Sequence, residues 1–264
     1  MTGPVVPGTG WPGDLATPAT PAATSAESVV ALAAAAGSLA ELTARQSVCR
    51  ACPRLVEWRE EVAATKRRSF ANDQYWGRPV PGWGDERPSV LIVGLAPAAH
   101  GGNRTGRIFT GDRSGDVLFE SLWRCGLAAR RTSVTAGDGQ RLRGVRMMAA
   151  VRCAPPQNKP TPKEIANCAG FLDREMAALK NVKIVVALGR IGFEAYLNYL
   201  KRSGLLKSKA GIAFAHAAHY EMPDGRILLC SYHPSQQNTQ TGKLTEKMFL
   251  EIFKKARKLL KSSN

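Results

Sequence analysis

Residues 89–112, SVLIVGLAPAAHGGNRTGRIFTGD, join a short apolar run to a loop rich in glycine. An apolar run of this length, rich in Val, Leu and Ile, predicts a strand buried on both faces of a parallel sheet. Glycines such as Gly94 and Gly101 give the backbone access to positive φ angles and let another group approach it closely. Ligands of open α/β sheets bind outside the carboxyl ends of the strands, so this loop is a candidate functional site.

A nucleotide phosphate is the first candidate ligand for such a loop. Gly101 and Gly106 have the spacing G-x-x-x-x-G, but Arg107 and Ile108 stand where a phosphate-binding loop needs Lys and Ser or Thr. The loop also lacks the dinucleotide fingerprint G-x-G-x-x-G. We therefore expect no nucleotide cofactor.

The rest of the chain alternates between strand and helix patterns. Further apolar runs lie at 145–152, 182–188 and 226–230, with helical patterns at 114–126, 162–179, 190–202 and 244–260. This alternation predicts an α/β fold, a three-layer α/β/α sandwich around a central, roughly four-stranded parallel sheet. The loops RCAPPQNKP and SYHPSQQN follow the second and fourth strands, so they should leave the same sheet edge as the glycine-rich loop.

The composition divides the chain into a tail and one domain. Residues 1–27 are rich in Pro, Ala, Thr and Gly and predict a disordered N-terminal tail, while 28–264 predict a single α/β domain. Helices are expected at 28–46 and 54–66. Neither a secretory signal nor an apolar run of about 18 residues is present, so we expect a cytoplasmic protein without a membrane span. We also expect it to be a monomer.

The chain is strongly basic, with 37 Lys and Arg against 21 Asp and Glu and a net charge of +16. Residues 1–48 hold only Arg45 against Asp14, Glu27 and Glu41, so the whole excess lies in the remainder. A folded body this basic attracts polyanions, of which nucleic acid is the commonest. We therefore expect a nucleic-acid partner, and association with the nucleoid in a prokaryote. The alternative is charge that serves solubility alone.

The cysteines suggest a metal site. Four of them are candidate ligands, an adjacent C-x2-C pair and a pair separated by fourteen residues: Cys49, Cys52, Cys153 and Cys168. Four thiolates suit structural zinc or a 4Fe–4S cluster, and the spacing does not separate the two. Four unrelated buried thiols are the alternative. Cys125 and Cys230 lie in apolar segments and are predicted core residues.

Three long motifs, GLAPAAHGGNRTGRIFTGDRSG, VRCAPPQNKPTPKE and SYHPSQQNTQTGKLT, together with the cysteines resemble the uracil-DNA glycosylase superfamily. The resemblance covers about residues 47–260 and is specific to the iron–sulfur type known as family 5 or type B. It implies excision of deaminated bases from DNA in base excision repair. It also implies a structural 4Fe–4S cluster on Cys49, Cys52, Cys153 and Cys168.

A glycosylase of this kind flips its target base out of the stack into a pocket. The resemblance places the backbone of Gly94, Ala96 and Pro97 against the base and assigns the stacking role to Phe109. Aromatic stacking contributes a few kcal/mol at most per base. The alternative for Phe109 is a loop side chain that packs into the core.

Three polar residues match catalytic positions of the family. Asp112 matches the carboxylate that positions the attacking water and faces the cationic sugar, although its spacing also suits a helix cap. His233 matches the histidine that hydrogen-bonds the departing base. Asn158 matches a pocket asparagine that contacts base or phosphate, and a turn residue beside Pro160 is the alternative.

Two apolar positions bear on specificity. Ala96 replaces the polar catalytic residue of better-known relatives, and Ala149 stands where family 4 tends to have an asparagine that selects uracil. Loss of a uracil-specific hydrogen bond weakens discrimination, so we expect hypoxanthine to be excised as well as uracil. No lysine matches a Schiff-base nucleophile, so we expect hydrolysis without lyase activity.

Contacts to DNA are expected from two loops. Phosphate contacts are predicted from the backbone of the first turn and from its arginines, and contacts to base edges from the loop after His233. The candidate residues are Gly101, Gly102, Asn103, Arg104, Arg107, Arg113, Ser235, Gln236, Gln237 and Asn238. For each arginine a solvated surface charge is the alternative.

Two other functions remain open at this stage. His219-Tyr220-Glu221 satisfies the H-x-E half of a zinc nucleobase deaminase motif, although Cys49 and Cys52 precede it in the chain. A non-catalytic iron–sulfur DNA-binding protein would keep the fold and cluster without the chemistry. The presence of both Asp112 and His233 argues against it.

Overall fold

A computed structural model describes residues 3–262 and contains one six-stranded sheet. Its strands are β1 (Trp83–Gly84), β2 (Val90–Gly94), β3 (Val145–Ala149), β4 (Ile184–Leu188), β5 (His219–Glu221) and β6 (Ile227–Ser231), in the order β1-β3-β2-β4-β6-β5. The four central strands are parallel, which confirms the predicted sheet. The edge strands β1 and β5 are antiparallel additions of two and three residues, too short for a periodic pattern to reveal them.

The helices flank this sheet and follow the predicted order with two short additions. They are α1 (Ala26–Ala34), α2 (Leu39–Ser47), α3 (Pro53–Thr65), α4 (Gly102–Thr105), α5 (Arg113–Arg124), α6 (Pro162–Ala178), α7 (Gly189–Arg202), α8 (Gln236–Gln240) and α9 (Glu246–Ser262). The single helix predicted at 28–46 is wrong, because the chain breaks at Gly37 and restarts at Ser38. The Ser38 hydroxyl accepts a hydrogen bond from the Glu41 N–H and caps α2.

Alternate residues of the strands face two separate hydrophobic cores. Val90 and Ile92 pack with Phe119 and Phe253 of α5 and α9 on one face. On the other face, Leu91 and Val93 pack with the core residues of α6 and α7. The three-layer α/β/α sandwich is therefore confirmed. Cys125 and Cys230 are buried in these two cores, as predicted.

The segment predicted to be a disordered tail forms no helix or strand over residues 3–25, yet it packs against the domain. Val5 is buried in the same core as Trp76, and the ring of Trp11 lies 5.9 Å from that of Trp76. The carboxylate of Asp14 forms an ion pair with Arg78, and both side chains are buried. The division of the chain at residue 27 stays a prediction.

We expect Asp14→Asn to destabilise the protein by about 3 kcal/mol, which is roughly 6–12 °C in melting temperature, because it leaves the Arg78 guanidinium buried without its anion. Thermal unfolding followed by circular dichroism measures this. Glu27→Gln, at an exposed acidic residue in the first turn of α1, is the control and should melt as the parent does. Equal melting of the two variants would mean that the N-terminal segment does not stay docked in solution.

Candidate active site

The parallel register brings the ends of the four central strands to one edge. Gly94 pairs with Ala149 at the ends of β2 and β3, and Leu188 pairs with Ser231 at the ends of β4 and β6. The glycine-rich loop and the loops after β3 and β6 therefore leave the sheet side by side. Their predicted convergence is confirmed.

The glycines of the first loop admit side chains of that same loop. A Cβ built on Gly94 would lie 2.6 Å from Cζ of Phe109, and one built on Gly101 would lie 2.1 Å from Oδ2 of Asp112. Both distances are shorter than any side chain tolerates. The loop thus folds back on itself, placing the Phe109 ring over the tip of β2 and the Asp112 carboxylate against the Gly101 backbone. Phe109 itself has a φ of 53° and is 7% exposed.

Asp112 lies at the N-terminus of α5, where its Oδ1 accepts a hydrogen bond from the Gly115 N–H at 2.9 Å. The alternative of a helix cap is correct, but it uses one oxygen and leaves Oδ2 beside Gly101. Burial raises the pKa of the Asp112 carboxyl, and the Asp116 charge adds to this effect. Hydrogen bonds from the Gly115 and Ser114 N–H groups and the charge of Arg104 oppose it.

His233 follows β6 and lies beside Phe109, with ring centroids 6.2 Å apart and planes inclined at 35°. Gly189 takes a φ of +81° next to it, and a Cβ there would lie 3.2 Å from Cβ of His233. The Asn238 side chain donates to the His233 carbonyl oxygen at 2.8 Å. Burial lowers the pKa of His233 to about 4, so its ring is neutral at physiological pH.

The remaining predicted pocket residues lie at different depths. Ala149 is fully buried at the end of β3, and Pro97 is buried at the position that a Cβ on Gly102 would occupy. Ala96 is partly buried against a small cluster that includes Cys153. Asn158 is exposed, in a turn with a φ of 58°.

The predicted phosphate contacts of Arg104 and Arg107 do not agree with where these side chains lie. Both residues are less than a tenth exposed. Arg107 donates to Ser133 at 2.7 Å and to Asp138 at 2.6 Å, and Arg104 donates to acceptors within its own loop and to Asp73. Their guanidinium groups are occupied inside the protein.

The polar groups in the first turn of the loop also form hydrogen bonds within the protein. The N–H groups of Gly101 and Asn103 both donate to the carbonyl oxygen of Ala98, at 3.2 and 3.0 Å. The Asn103 side chain is fully buried and donates to the Arg59 carbonyl oxygen at 3.1 Å. These groups support the loop and do not point to a DNA backbone.

The exposed candidates for DNA contact lie on neighbouring elements. Arg113 on α5 and Gln236 on α8 line one surface hollow, and both are exposed, as is Gln237. The Ser235 hydroxyl caps α8 by accepting from the Asn238 N–H at 3.3 Å. Asn238 is used locally, by its bond to the His233 carbonyl oxygen.

All four candidate ligand cysteines line one small cavity of about 20 Å³. It lies between the start of α3, the loop after β3 and the helix α6, and its other walls include Leu55, Val151 and Phe171. Burial raises the pKa of Cys49 and of Cys168 to about 12, and neighbouring cysteines contribute to both shifts. The neutral forms of Cys49 and Cys168 are therefore favoured unless a cationic group stabilises their thiolates.

Two buried arginines beside this cavity carry donors without acceptors. Arg59 donates to Sγ of Cys153 at 3.0 Å and to the Cys49 carbonyl oxygen at 3.1 Å, yet its Nε has no partner in the described part of the chain. Arg152 lines the cavity and donates to Glu175, while its Nε and Nη1 lack partners there. Sequence reasoning missed both residues, because Arg59 and Cys153 are 94 positions apart.

Over residues 3–262 no three His, Cys, Asp or Glu side chains are close enough to hold one metal ion together. A 4Fe–4S cluster instead takes one thiolate at each iron, so its ligands stand around a larger group. Orphaned guanidinium donors next to the sulfurs are suited to an anionic group of this kind.

The alternative deaminase motif lies elsewhere. His219 and Glu221 are exposed on the edge strand β5. Cys49 and Cys52 lie in the same cavity as Cys153, which follows β3, and β2, β4 and β6 separate β3 from β5. The two halves of a deaminase zinc site therefore do not meet. Within the described residues, no helix has the length and apolar character needed to cross a membrane.

Comparison with known proteins gives a consistent result. A family model described as the uracil DNA glycosylase superfamily matches residues 81–257. The type-5 uracil-DNA glycosylase of Mycobacterium tuberculosis is 55% identical over 257 residues, covering 97% of this chain and 94% of the relative. That of Thermus thermophilus is 54% identical over 213 residues, covering 81% and 94%.

A type-4 uracil-DNA glycosylase of Pyrobaculum aerophilum is more distant, at 31% identity over 164 residues, which cover 61% of this chain and 74% of the relative. The type-5 relatives thus match more closely and over more of the chain. This chain belongs to the uracil-DNA glycosylase superfamily, and within it to the group that contains the type-5 enzymes.

Proposed function

We propose that this chain is a DNA glycosylase that hydrolyses the N-glycosidic bond of uracil and of hypoxanthine in DNA and leaves an abasic site. The observation that carries the proposal is the meeting of two loops at the sheet edge. The Phe109 ring lies beside His233, and Asp112 follows Phe109 by three residues in a loop folded onto the tip of β2.

The mechanism follows from where charge develops. As the bond between C1′ and the base nitrogen breaks, its electron pair leaves with the base and positive charge builds on the sugar. The Asp112 carboxylate stabilises that charge and orients the water whose oxygen bonds to C1′. The neutral His233 ring donates a hydrogen bond to the oxygen of the departing base, which a proton from the water finally neutralises.

Neutrality of His233 matters for this role. A partly buried imidazole with a pKa of about 4 keeps a single ring proton across the physiological range. The neutral ring can therefore donate a hydrogen bond from its N–H group to the anion that develops on the base. Asn158 and the exposed side chains of Arg113, Gln236 and Gln237 are the proposed contacts to the DNA around the flipped nucleotide.

The base range follows from the two alanines. Neither Ala96 nor Ala149 has a side-chain group that can select one hydrogen-bonding edge, so discrimination against hypoxanthine is weak. Because no lysine stands at the position of a Schiff-base nucleophile, the reaction is hydrolysis without strand cleavage. All the proposed site residues come from one chain, so a monomer is sufficient for activity. The proposed place of action is the cytoplasm, where a prokaryote keeps its DNA.

A 4Fe–4S cluster is proposed in the cysteine cavity, held by Cys49, Cys52, Cys153 and Cys168. When bound, it would serve as a structural crosslink and supply no chemistry to the base. Cys49 and Cys52 lie just before α3, Cys153 lies in the loop after β3 and Cys168 lies on α6, so joining them would fix the end of β3 near the site. Arg59 and Arg152 would neutralise part of the negative charge of the thiolates.

The first test uses labelled duplexes with one uracil or one hypoxanthine, incubated with protein and then divided into halves with and without hot alkali. We expect strand breakage only after alkali, at both lesions. Breakage without alkali would contradict the absence of lyase activity. Product from uracil alone would contradict the proposed base range. No product from either lesion with folded, iron-loaded protein would favour the non-catalytic DNA-binding alternative.

Gly101→Ala should lower the single-turnover rate on uracil by about 100-fold or more, since the new Cβ displaces the Asp112 carboxylate and a 1 Å error in position costs that much. Gly37→Ala is the control, because the nearest atom to a Cβ at Gly37 lies 3.5 Å away. It should keep the parent rate. A Gly101→Ala variant as fast as the parent would remove Asp112 from the mechanism.

Anaerobically purified protein should be brown and hold about four irons per chain by elemental analysis. Cys168→Ala should lose most of the iron and melt at a lower temperature, because it removes one of the proposed ligands. Cys125→Ala, at a buried core cysteine, should keep the iron while also losing some stability. Zinc in place of iron, or full iron content in Cys168→Ala, would contradict the proposed cluster.

A further inference from the structure

Arg104 connects the two ends of the loop that carries the proposed active site. Its Nε donates to the His100 carbonyl oxygen at 2.9 Å, and its Nη2 donates to the Gly111 carbonyl oxygen at 3.0 Å. Its Nη1 donates to Oδ2 of Asp73 at 2.7 Å. The guanidinium also lies 3.9 Å from the centroid of the Phe70 ring, and the residue is 9% exposed.

The two carbonyl groups belong to the residues directly before Gly101 and Asp112. These are the residues whose backbone and carboxylate are in contact across the loop. At Gly111, where φ is +73°, a Cβ would lie 2.5 Å from Nη2 of Arg104, so the glycine makes room for the guanidinium. The Arg104 side chain therefore fixes the distance between the two backbone segments of the loop that meet next to Asp112.

The charge of Arg104 acts on the same carboxylate. Asp116 on α5 and Arg104 from α4 are the charged groups that influence Asp112, in opposite directions. Loss of the Arg104 charge would leave burial and Asp116 to raise the pKa of Asp112 further. The planar, forked guanidinium serves both purposes, because it bonds three acceptors at once and remains charged.

We propose that Arg104 is a positioning residue for Asp112, which holds the carboxylate against Gly101 by bridging the carbonyl groups of His100 and Gly111. The proposal rests on the catalytic role of Asp112 proposed above. It replaces the phosphate contact predicted from sequence. Asp73 is the anchor that holds the guanidinium in the bridging position.

The test compares single-turnover rates on uracil-containing DNA as a function of pH. Arg104→Lys keeps a positive charge, but a lysine ammonium cannot span both carbonyl oxygens and Asp73 in the same geometry. Its rate should fall about 10- to 100-fold with the acid limb of the pH profile unmoved. Arg104→Met loses the charge as well, so the Asp112 pKa rises, and its acid limb should move to higher pH because activity requires the ionised carboxylate.

Arg107→Lys is the matched control, since Arg107 is as buried as Arg104 and lies in the same loop but donates to Thr110, Ser133 and Asp138. It should melt at a lower temperature without moving the acid limb. If Arg104→Met does not fold, Asp73→Asn tests the same bridge, with a fall in rate smaller than that of Arg104→Lys. A parent-like rate in Arg104→Lys, or an unmoved acid limb in Arg104→Met, would overturn the proposal.

Asp112→Asn separates the two proposals. A parent-like rate in Asp112→Asn would remove the catalytic role of Asp112 and with it the basis for a positioning residue. An inactive Asp112→Asn together with parent-like Arg104 variants would contradict the bridging role of Arg104 alone.

Discussion

The contact between the Gly101 backbone and the Asp112 carboxylate is the constraint on which the site depends. A carboxylate can pack this closely against the main chain only where no Cβ intervenes. A Cβ built on Gly101 would lie 2.1 Å from Oδ2 of Asp112, so any other residue at position 101 would displace the carboxylate. The same loop needs glycine at position 94 so that Phe109 can lie over the strand tip. Glycine here allows the protein's own side chains to approach the backbone closely.

The helix cap and the proposed catalytic role fall on one residue, Asp112. The Oδ1 atom of Asp112 accepts a hydrogen bond from the Gly115 N–H in the first turn of α5, and that bond fixes the direction of the other carboxylate oxygen. The helix terminus also contributes N–H dipoles that favour the charged carboxylate, against the cost of burial. A helix cap can therefore orient a carboxylate, and the observed cap is compatible with the proposed catalytic role of Asp112.

Sequence patterns predicted those parts of the fold that depend on local periodicity. The central strands are apolar throughout because helices cover both faces, so β2 and β4 could be recognised directly. The edge strands β1 and β5 are too short to show a period, and the break at Gly37 depends on a serine cap that competes with an otherwise continuous helical pattern. The loops of the site were predicted because parallel strands end at one edge.

The arginines were harder to predict, because their partners are distant in the chain. Arg104 pairs with Asp73 and Arg59 with Cys153, at separations of 31 and 94 residues. A local motif of Gly, Asn and Arg gives no indication whether the guanidinium faces inward or outward. The net positive charge of the sequence therefore overstated the charge available to DNA, since several arginines are buried: Arg59, Arg78, Arg104, Arg107, Arg146, Arg152 and Arg226.

This buried positive charge bears on the cysteine cavity. Arg146 and Arg152 share the fully buried carboxylate of Glu175, yet Arg152, which lines the cavity, and Arg59, which contacts Cys153, keep unpaired donors. Leaving a buried guanidinium short of acceptors is costly, and neutral thiols are weak acceptors. If the four cysteines were unrelated buried thiols, that cost would have no compensation. Four thiolates bound to the proposed cluster would carry the negative charge that these donors lack.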